Sequence, residues 1–375
     1  MIGENMKKSF RAPLPCQSDY EGVSITEIAI SLLDLNQDSE WLPVEIRNSE
    51  RVILLLLDGL GWNQFKQRTS IAPNMANLET IRARTVVPTT TSTALTSLTT
   101  GVFPSQHGIV GYRVALADGV LNTLRWSVGG SRIQQWVEPQ EFQSYDAFRG
   151  LTPPVITRVE HIGSGFSKAH LGDSHIIGYE NRFGLLEEAL EAIRGKEKFV
   201  YAYWDGIDRT AHEFGLQERY EEELQACDFL VGELLNYSPP KTAVVVTADH
   251  GQVHVGKEMI SLPDSVSELV ERQSGEARFR WLHASKGNSR SLLEAASDSF
   301  SELAWVAGVD EIVESGWLGP GLSPEIRKRL GDVALLAREP VGFYDPSERF
   351  PIEMISRHGS ITDDEIYVPI FWAVT

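Results

Sequence analysis

Cysteine is scarce in this chain of 375 residues. Cys16 and Cys227 stand far apart and form neither a CxxC pair nor a zinc-knuckle spacing. The simplest reading is a reduced protein of the cytoplasm, without a disulfide framework. Long apolar runs are missing too. The most apolar stretch, "RVILLLLDGLGW" from Arg51, is broken by Asp58 far short of the roughly 20 residues a bilayer demands. The N-terminal "MIGENMKKSFRAPLPCQSDY" has a basic pair but no apolar run behind it, so it does not read as a signal peptide. Positive charge is also short: 34 Lys+Arg against 52 Asp+Glu give a formal charge of -18. That excess argues against nucleic-acid polymers and anionic membranes as partners, since both reward basic patches. It is compatible with bound divalent cations. No internal repeat, heptad or low-complexity tract is present.

What is there is an alternation of short apolar runs and amphipathic segments. Val52–Leu57, Phe199–Trp204 and Ala243–Thr247 read as strands buried on both faces, and Val368–Ala373 as an edge or returning strand. "NRFGLLEEALEAIRG" places Phe183, Leu186, Ala189 and Ile193 at helical spacing, with Gly195 as a stop. "QERYEEELQACDFLVGELLNY" is a second amphipathic helix. The expected fold class is α/β: a doubly wound, mostly parallel sheet sandwiched by helices. Residues 113 to about 180 read as loops over one edge. Residues 256–345 carry their own β-α-β-α pattern, suited to a small inserted α+β cap within a single catalytic domain spanning 1–375.

The residues able to bind a metal follow the strands. Asp58 follows "VILLLL", Asp208 and His212 follow "FVYAYWDGI", and Asp249 and His250 follow "AVVVTA". Loops at the carboxyl ends of parallel strands converge on one edge, where sites are built. Carboxylates gathered there repel unless cations lie between them, and an Asp/His mixture suits zinc or a similar ion. Each piece has a plainer explanation. Asp58-Gly59 alone is a common strand-ending turn. "DRTAH" places Asp208 and His212 on one helical face, which a surface hydrogen bond explains equally well. "TADHG" is sharper, because packing rarely needs adjacent Asp and His after a buried strand. "SRHGS" is an unremarkable turn by itself.

Taken in order, "LLDGLG", the Thr-rich segment ending "TTGVFPSQHGI", "DRTAHEFG", "TADHG" and "SRHGS" resemble the alkaline phosphatase superfamily. Within it the chain is most similar to the type I phosphodiesterase and nucleotide pyrophosphatase branch. The likeness covers about half of the chain, all in the core. It implies an alkaline-phosphatase-like fold and a metal-dependent hydrolase of small-molecule phosphoesters, nucleotides among them.

In that superfamily the nucleophile opens a helix and precedes the Gly of a "TG" pair by ten residues, which counted back from Gly101 implies Thr91. The resemblance also implies two divalent ions, zinc or alternatively manganese. Asp58, Asp249, His250 and the Thr91 oxygen would hold one; Asp208, His212 and His358 would hold the other. The chemistry is coherent. A threonine hydroxyl is a weak nucleophile until a base or cation helps remove its proton. At a helix N-terminus it would meet a phosphate alongside free backbone N–H groups. The expected sequence is attack on phosphorus, a phosphothreonine intermediate, then hydrolysis.

The neighbouring hydroxyls have duller expected roles: Thr89, Thr90 and Ser92 as N-caps, and Thr96, Ser97, Thr99 and Thr100 as small packing residues. His107 is expected in a structural turn, and Asp205 and His254 outside the ligand set. One position departs from the resemblance. Nucleotide phosphodiesterases of this branch carry an Asn after "HGI(I/V)x", where this chain has Tyr112 followed by Arg113. Either side chain could hold a substrate phosphate in its place. A phosphomonoesterase or phosphomutase on the same core is the nearest alternative, and a noncatalytic metal-binding module a more distant one. A sulfatase is not expected, since Thr91 lacks the Cys/Ser-x-Pro-x-Arg context.

Overall fold

The apolar runs form the centre of one sheet. The computed structural model describes residues 11–36, 39–129, 137–257, 259–348 and 353–375. Its largest sheet has eight strands, in the spatial order Val23–Ser24, Glu79–Arg84, Tyr367–Val374, Thr242–Thr247, Arg51–Leu57, Phe199–Trp204, Pro154–Arg158 and His175–Tyr179. All neighbours pair in parallel except Tyr367–Val374, which runs antiparallel to both of its partners. Leu54 pairs with Val245 on one side and Tyr201 on the other. Helices flank the sheet, so the strand from Val52 to Leu57 is buried throughout, which is why it shows no alternation.

This topology selects one edge of the sheet. The loops after Leu57, Trp204 and Thr247 leave carboxyl ends of parallel strands and therefore emerge together. The antiparallel strand contributes to the same edge with its amino end, which brings in His358. Tyr367–Val374 is thus a returning strand in the sheet interior, not an edge strand.

Two expectations need correction. Residues 113–180 are not only loops. They contain a three-stranded antiparallel sheet (Arg113–Leu116, Gly119–Asn122, Ser127–Gly129) and two strands that complete one flank of the main sheet. The apolar content of those two strands is short, Val155-Ile156 and Ile176-Ile177, too little to register as a pattern. In the helix Arg182–Arg194 the buried face is Leu185, Ala189, Leu190 and Ile193, while Phe183 is 70% exposed. Asn181 caps the helix by accepting from the N–H groups of Phe183 and Gly184, which leaves Phe183 in the exposed first turn.

A second, four-stranded antiparallel sheet orders Val270–Gly275, Phe279–Ala284, Val333–Ala337 and Ala304–Gly308. Its period of two divides it cleanly. Phe279, Trp281, Ala334 and Leu336 join the main core, whereas Leu282, Val333 and Leu335 build a separate cluster with Leu292 and Phe300. Both cysteines are free. Among the described residues, no helix is long and apolar enough to cross a membrane.

Candidate active site

Asp58 ends its strand at a turn that only glycine fits. Gly59 has φ +77°, and a Cβ there would lie 2.9 Å from the Cβ of Asp208. The bare backbone lets the loops bearing Asp58 and Asp208 touch. Its N–H, with that of His250, donates to Asp249 Oδ1, both at 3.0 Å. The Tyr203 hydroxyl donates to Asp58 Oδ2, and the Gln252 amide to Asp208 Oδ1.

Thr91 is the first residue of the helix Thr91–Thr100, which ends at left-handed Gly101 (φ 74°). Its buried hydroxyl lies 3.2 Å from His250 Nε2. Most neighbouring hydroxyls are occupied within the fold. Thr96, Thr99 and Thr100 donate back to carbonyls in the preceding helical turn. Ser97 pairs with His107, and Ser92 donates to the Gly111 carbonyl. The expected N-caps do not cap: Thr90 stands at the N-cap position without a capping bond. Thr89 instead donates to the Ser360 carbonyl at 2.8 Å and accepts the Gly359 N–H at 3.0 Å, joining two loops.

The three histidines share one arrangement. His250 Nδ1 meets the Gly251 carbonyl at 3.1 Å, His212 Nδ1 the Ser356 carbonyl at 2.7 Å, and His358 Nδ1 the Thr89 carbonyl at 2.8 Å. A carbonyl only accepts, so each Nδ1 carries a proton, and each ring in its neutral form presents a bare Nε2 lone pair. These lone pairs point at other acceptors. His212 Nε2 is 3.3 Å from His358 Nε2 and 3.2 Å from Asp208 Oδ2. His358 Nε2 is 3.6 Å from Asp208 Oδ1. His250 Nε2 lies 3.3 Å from Asp249 Oδ2 and 3.5 Å from Asp58 Oδ1, and both of those oxygens are buried without a hydrogen-bond donor. Acceptors converging on acceptors in a largely buried site fit a cation between them.

Two sets of ligand atoms are close enough to share an ion: Asp58, Asp249 and His250, and Asp208, His250 and His358. His212 adjoins the second set through the distances above. The electrostatics agree. Burial, then the Asp249 and Asp208 carboxylates, pushes the Asp58 carboxyl well up, and burial also raises Asp249. Burial works to raise Asp208 as well, but His212 and the other imidazoles outweigh it and hold the group low. Burial, then His250, drives His358 well below the usual imidazole range. Anions that resist ionising together become stable ligands once a divalent ion supplies the charge.

Beside these residues opens a cleft of about 540 Å³. Its wall comes largely from the segment read as loops, with Val155, His161, Phe166 and His170 facing Thr91 and Tyr203. Neither the wall nor the supporting Tyr203 and Gln252 had a sequence signal, because aromatic and amide side chains in buried strands and turns are ordinary packing residues.

The remaining residues divide. His107 is buried; its Nδ1 accepts the Ile109 N–H at 3.1 Å, so it belongs to the turn. Asp205 is paired with Arg158 at 3.3 Å, and His254 lies exposed on a two-stranded ribbon with Ser356–Arg357. Arg113 corrects an expectation. Its guanidinium is engaged by Asp345, by Glu348 at 3.2 Å and by Ser347 at 2.9 Å, which leaves no fork for a substrate phosphate. The Tyr112 hydroxyl accepts from Asn122 at 2.6 Å. Tyr112 and Arg113 do not line the cleft.

A mostly parallel, helix-flanked sheet with acidic and imidazole groups gathered at one edge is the alkaline-phosphatase-like architecture. The chain belongs to the type I phosphodiesterase / nucleotide pyrophosphatase family, whose model matches residues 52–343. It is therefore a hydrolase of phosphoric ester or phosphoanhydride bonds, in a family that typically depends on metal ions. No curated protein sequence matches it. Among solved structures, murine ectonucleotide pyrophosphatase / phosphodiesterase 5, an inactive variant in complex with AMP, is similar at 15% identity and a TM-score of 0.62, over 86% of this chain and 87% of that one. The human protein of that name gives 14% and 0.62, over 86% and 87%. Phosphonoacetate hydrolase from Sinorhizobium meliloti, in complex with phosphonoformate, gives 17% and 0.64, over 87% and 90%. At these identities the likeness speaks for the fold.

Proposed function

We propose that the enzyme cleaves phosphodiester or pyrophosphate bonds of a small molecule, a nucleotide among the candidates, through a phosphothreonine on Thr91. The observation that carries this reading is the meeting of three imidazole Nε2 atoms and two unpartnered carboxylate oxygens beside one threonine hydroxyl at a helix N-terminus. Asp58, Asp249, His250 and Thr91 would hold one divalent ion, and Asp208, His212 and His358 a second. Zinc suits this oxygen and nitrogen donor set, with manganese the alternative. When bound, such ions supply positive charge that lowers the pKa of a coordinated hydroxyl and offsets charge on a phosphoryl group.

The chain's own residues set the geometry. The turn from Thr90 into the helix aims the Thr91 hydroxyl, and the free N–H groups of the first turn face an incoming phosphoryl oxygen. The Tyr203 and Gln252 bonds hold Asp58 and Asp208 in place, and the carbonyls of Gly251, Ser356 and Thr89 hold the three rings. Thr91 loses its hydroxyl proton to solvent as its oxygen attacks phosphorus, and the bond from phosphorus to the leaving oxygen breaks as that oxygen takes up a proton. Water then attacks the phosphothreonine, breaking the Thr91 O–P bond and restoring the hydroxyl as the phosphorylated product leaves. The second sheet with its helices is read as a cap inserted into a single catalytic domain, and the two free cysteines support a reducing, cytoplasmic setting.

Tyr112 in place of Asn favours one second reading, a phosphomonoesterase or phosphomutase on the same core. Turnover of bis(p-nitrophenyl) phosphate against p-nitrophenyl phosphate, each with zinc, manganese or magnesium, tests both. Preference for the diester is expected. Preference for the monoester transfers the case to the second reading, and no turnover of either by metal-loaded protein overturns both.

A further inference from the structure

The turn between the strands Val270–Gly275 and Phe279–Ala284 leaves the second sheet and reaches the catalytic edge of the first. Glu276 Oε2 accepts the Tyr112 N–H at 3.2 Å, and the same carboxyl interacts with the Thr90 side chain. A Cβ on Gly359 would lie 2.6 Å from Glu276 Cγ, so this side chain packs directly against the residue after His358. Arg278, two residues on and fully buried, forks onto Glu365 with bonds of 2.7 and 2.8 Å. Glu365 accepts the Ser360 N–H at 2.9 Å and, through its backbone carbonyl, the Gly251 N–H at 2.9 Å. One turn therefore reaches the neighbours of Thr91 and His358 and, by way of Glu365, the neighbour of His250.

Packing alone does not account for an acid here. Glu276 is 8% exposed and its Oε1 is buried without a partner, an arrangement that costs stability. We infer that Glu276 is a positioning residue for phosphoryl transfer, clasping the loop that ends in Thr91 against the loop that carries His358. The inference rests on Thr91 being the nucleophile. Thr90 and Gly359, each adjacent in sequence to a residue of the site, pack around this one side chain. Thr89 already ties the two loops together, so Glu276 sets their final alignment rather than their attachment, and a misplacement of about 1 Å can cost on the order of 100-fold in rate. Burial pushes the Glu276 carboxyl up to about 8. A role through hydrogen bonds and shape, which an amide can imitate, follows from that.

The test is steady-state kinetics of metal-loaded enzyme on bis(p-nitrophenyl) phosphate, with metal content and thermal unfolding measured in parallel. Glu276→Ala is expected to lower kcat about tenfold or more with KM within about twofold, the pattern of an interaction that matters in the transition state. Glu276→Gln is expected to restore kcat to within about threefold of wild type, since its amide oxygen can accept the same N–H. If Glu276→Ala does not fold, Glu276→Asp, one methylene too short to reach, is read in its place with the same expected loss. Unchanged kcat in Glu276→Ala, a loss expressed only in KM, or a Glu276→Gln enzyme as impaired as Glu276→Ala overturns the inference. Thr91→Ala is run alongside. Wild-type turnover in Thr91→Ala removes the underlying reading, whereas turnover lost there but kept in Glu276→Ala removes the clasp alone.

Discussion

His212 Nε2 and His358 Nε2 face one another at 3.3 Å, and each ring's other nitrogen already donates to a backbone carbonyl. Two neutral imidazoles oriented this way repel through their lone pairs unless a cation is shared between them. Metal loading should therefore raise thermal stability as well as activity, because an ion that binds only the folded state stabilises it by mass action. Chelation should abolish turnover and lower Tm, with zinc or manganese restoring both. His358→Ala should bind about one equivalent less metal by elemental analysis; unchanged stoichiometry would assign His358 another role.

Thr91→Ala removes the proposed nucleophile and leaves the Asp and His groups in place. Turnover should fall by at least about 1,000-fold with most of the metal retained, and acid-quenched enzyme should no longer carry covalent phosphate. Labelled phosphate trapped on the alanine variant would be incompatible with this assignment.

Gly59→Ala places a side chain where φ is +77° and where Asp208 Cβ would be 2.9 Å away. The backbone term alone is about 1–2 kcal/mol. The contact must be relieved by moving the Asp208 loop, so metal affinity should drop more than global stability. Isothermal titration with zinc beside urea unfolding separates the two; equal affinity in variant and wild type argues against the close approach.

Stability should also decline in acid through His107. Burial, then Arg329, lowers its pKa from the usual 6.5 to about 3. Between these values the unfolded chain takes up a proton that the folded ring refuses. The His107 contribution is thus complete above about pH 6.5 and drains as pH falls toward 3, at up to about 1.4 kcal/mol per unit. His107→Gln, which can keep the bonds to Ser97 and Ile109, should show a shallower loss of urea stability between pH 7 and 5. An identical acid slope in both proteins would exclude His107 as a contributor.

By itself the sequence determined the fold class and the chemical types at the site. Val52–Leu57, Phe199–Trp204 and Thr242–Thr247 are apolar because helices cover both faces of the sheet, and such runs are visible without coordinates. Asp58, Asp208 and Asp249 could be placed because each follows one of those runs. The resemblance pointed to Thr91 by its spacing to Gly101, but what each neighbouring hydroxyl bonds was not legible, since a hydroxyl's partner is set by distance. Thr96, Thr99 and Thr100 are spent on their own helix, Thr89 on Ser360, and Thr91 alone meets His250. Arg113 looked available for the same reason, until Asp345 and Glu348, remote in sequence, closed around it. The orientation of the histidines through backbone carbonyls, the cleft wall from Val155 to His170, and the reach of Glu276 to Thr90 were decided only by tertiary structure. Each depends on contacts between segments far apart in the chain, and local sequence pattern records only the contacts between near neighbours.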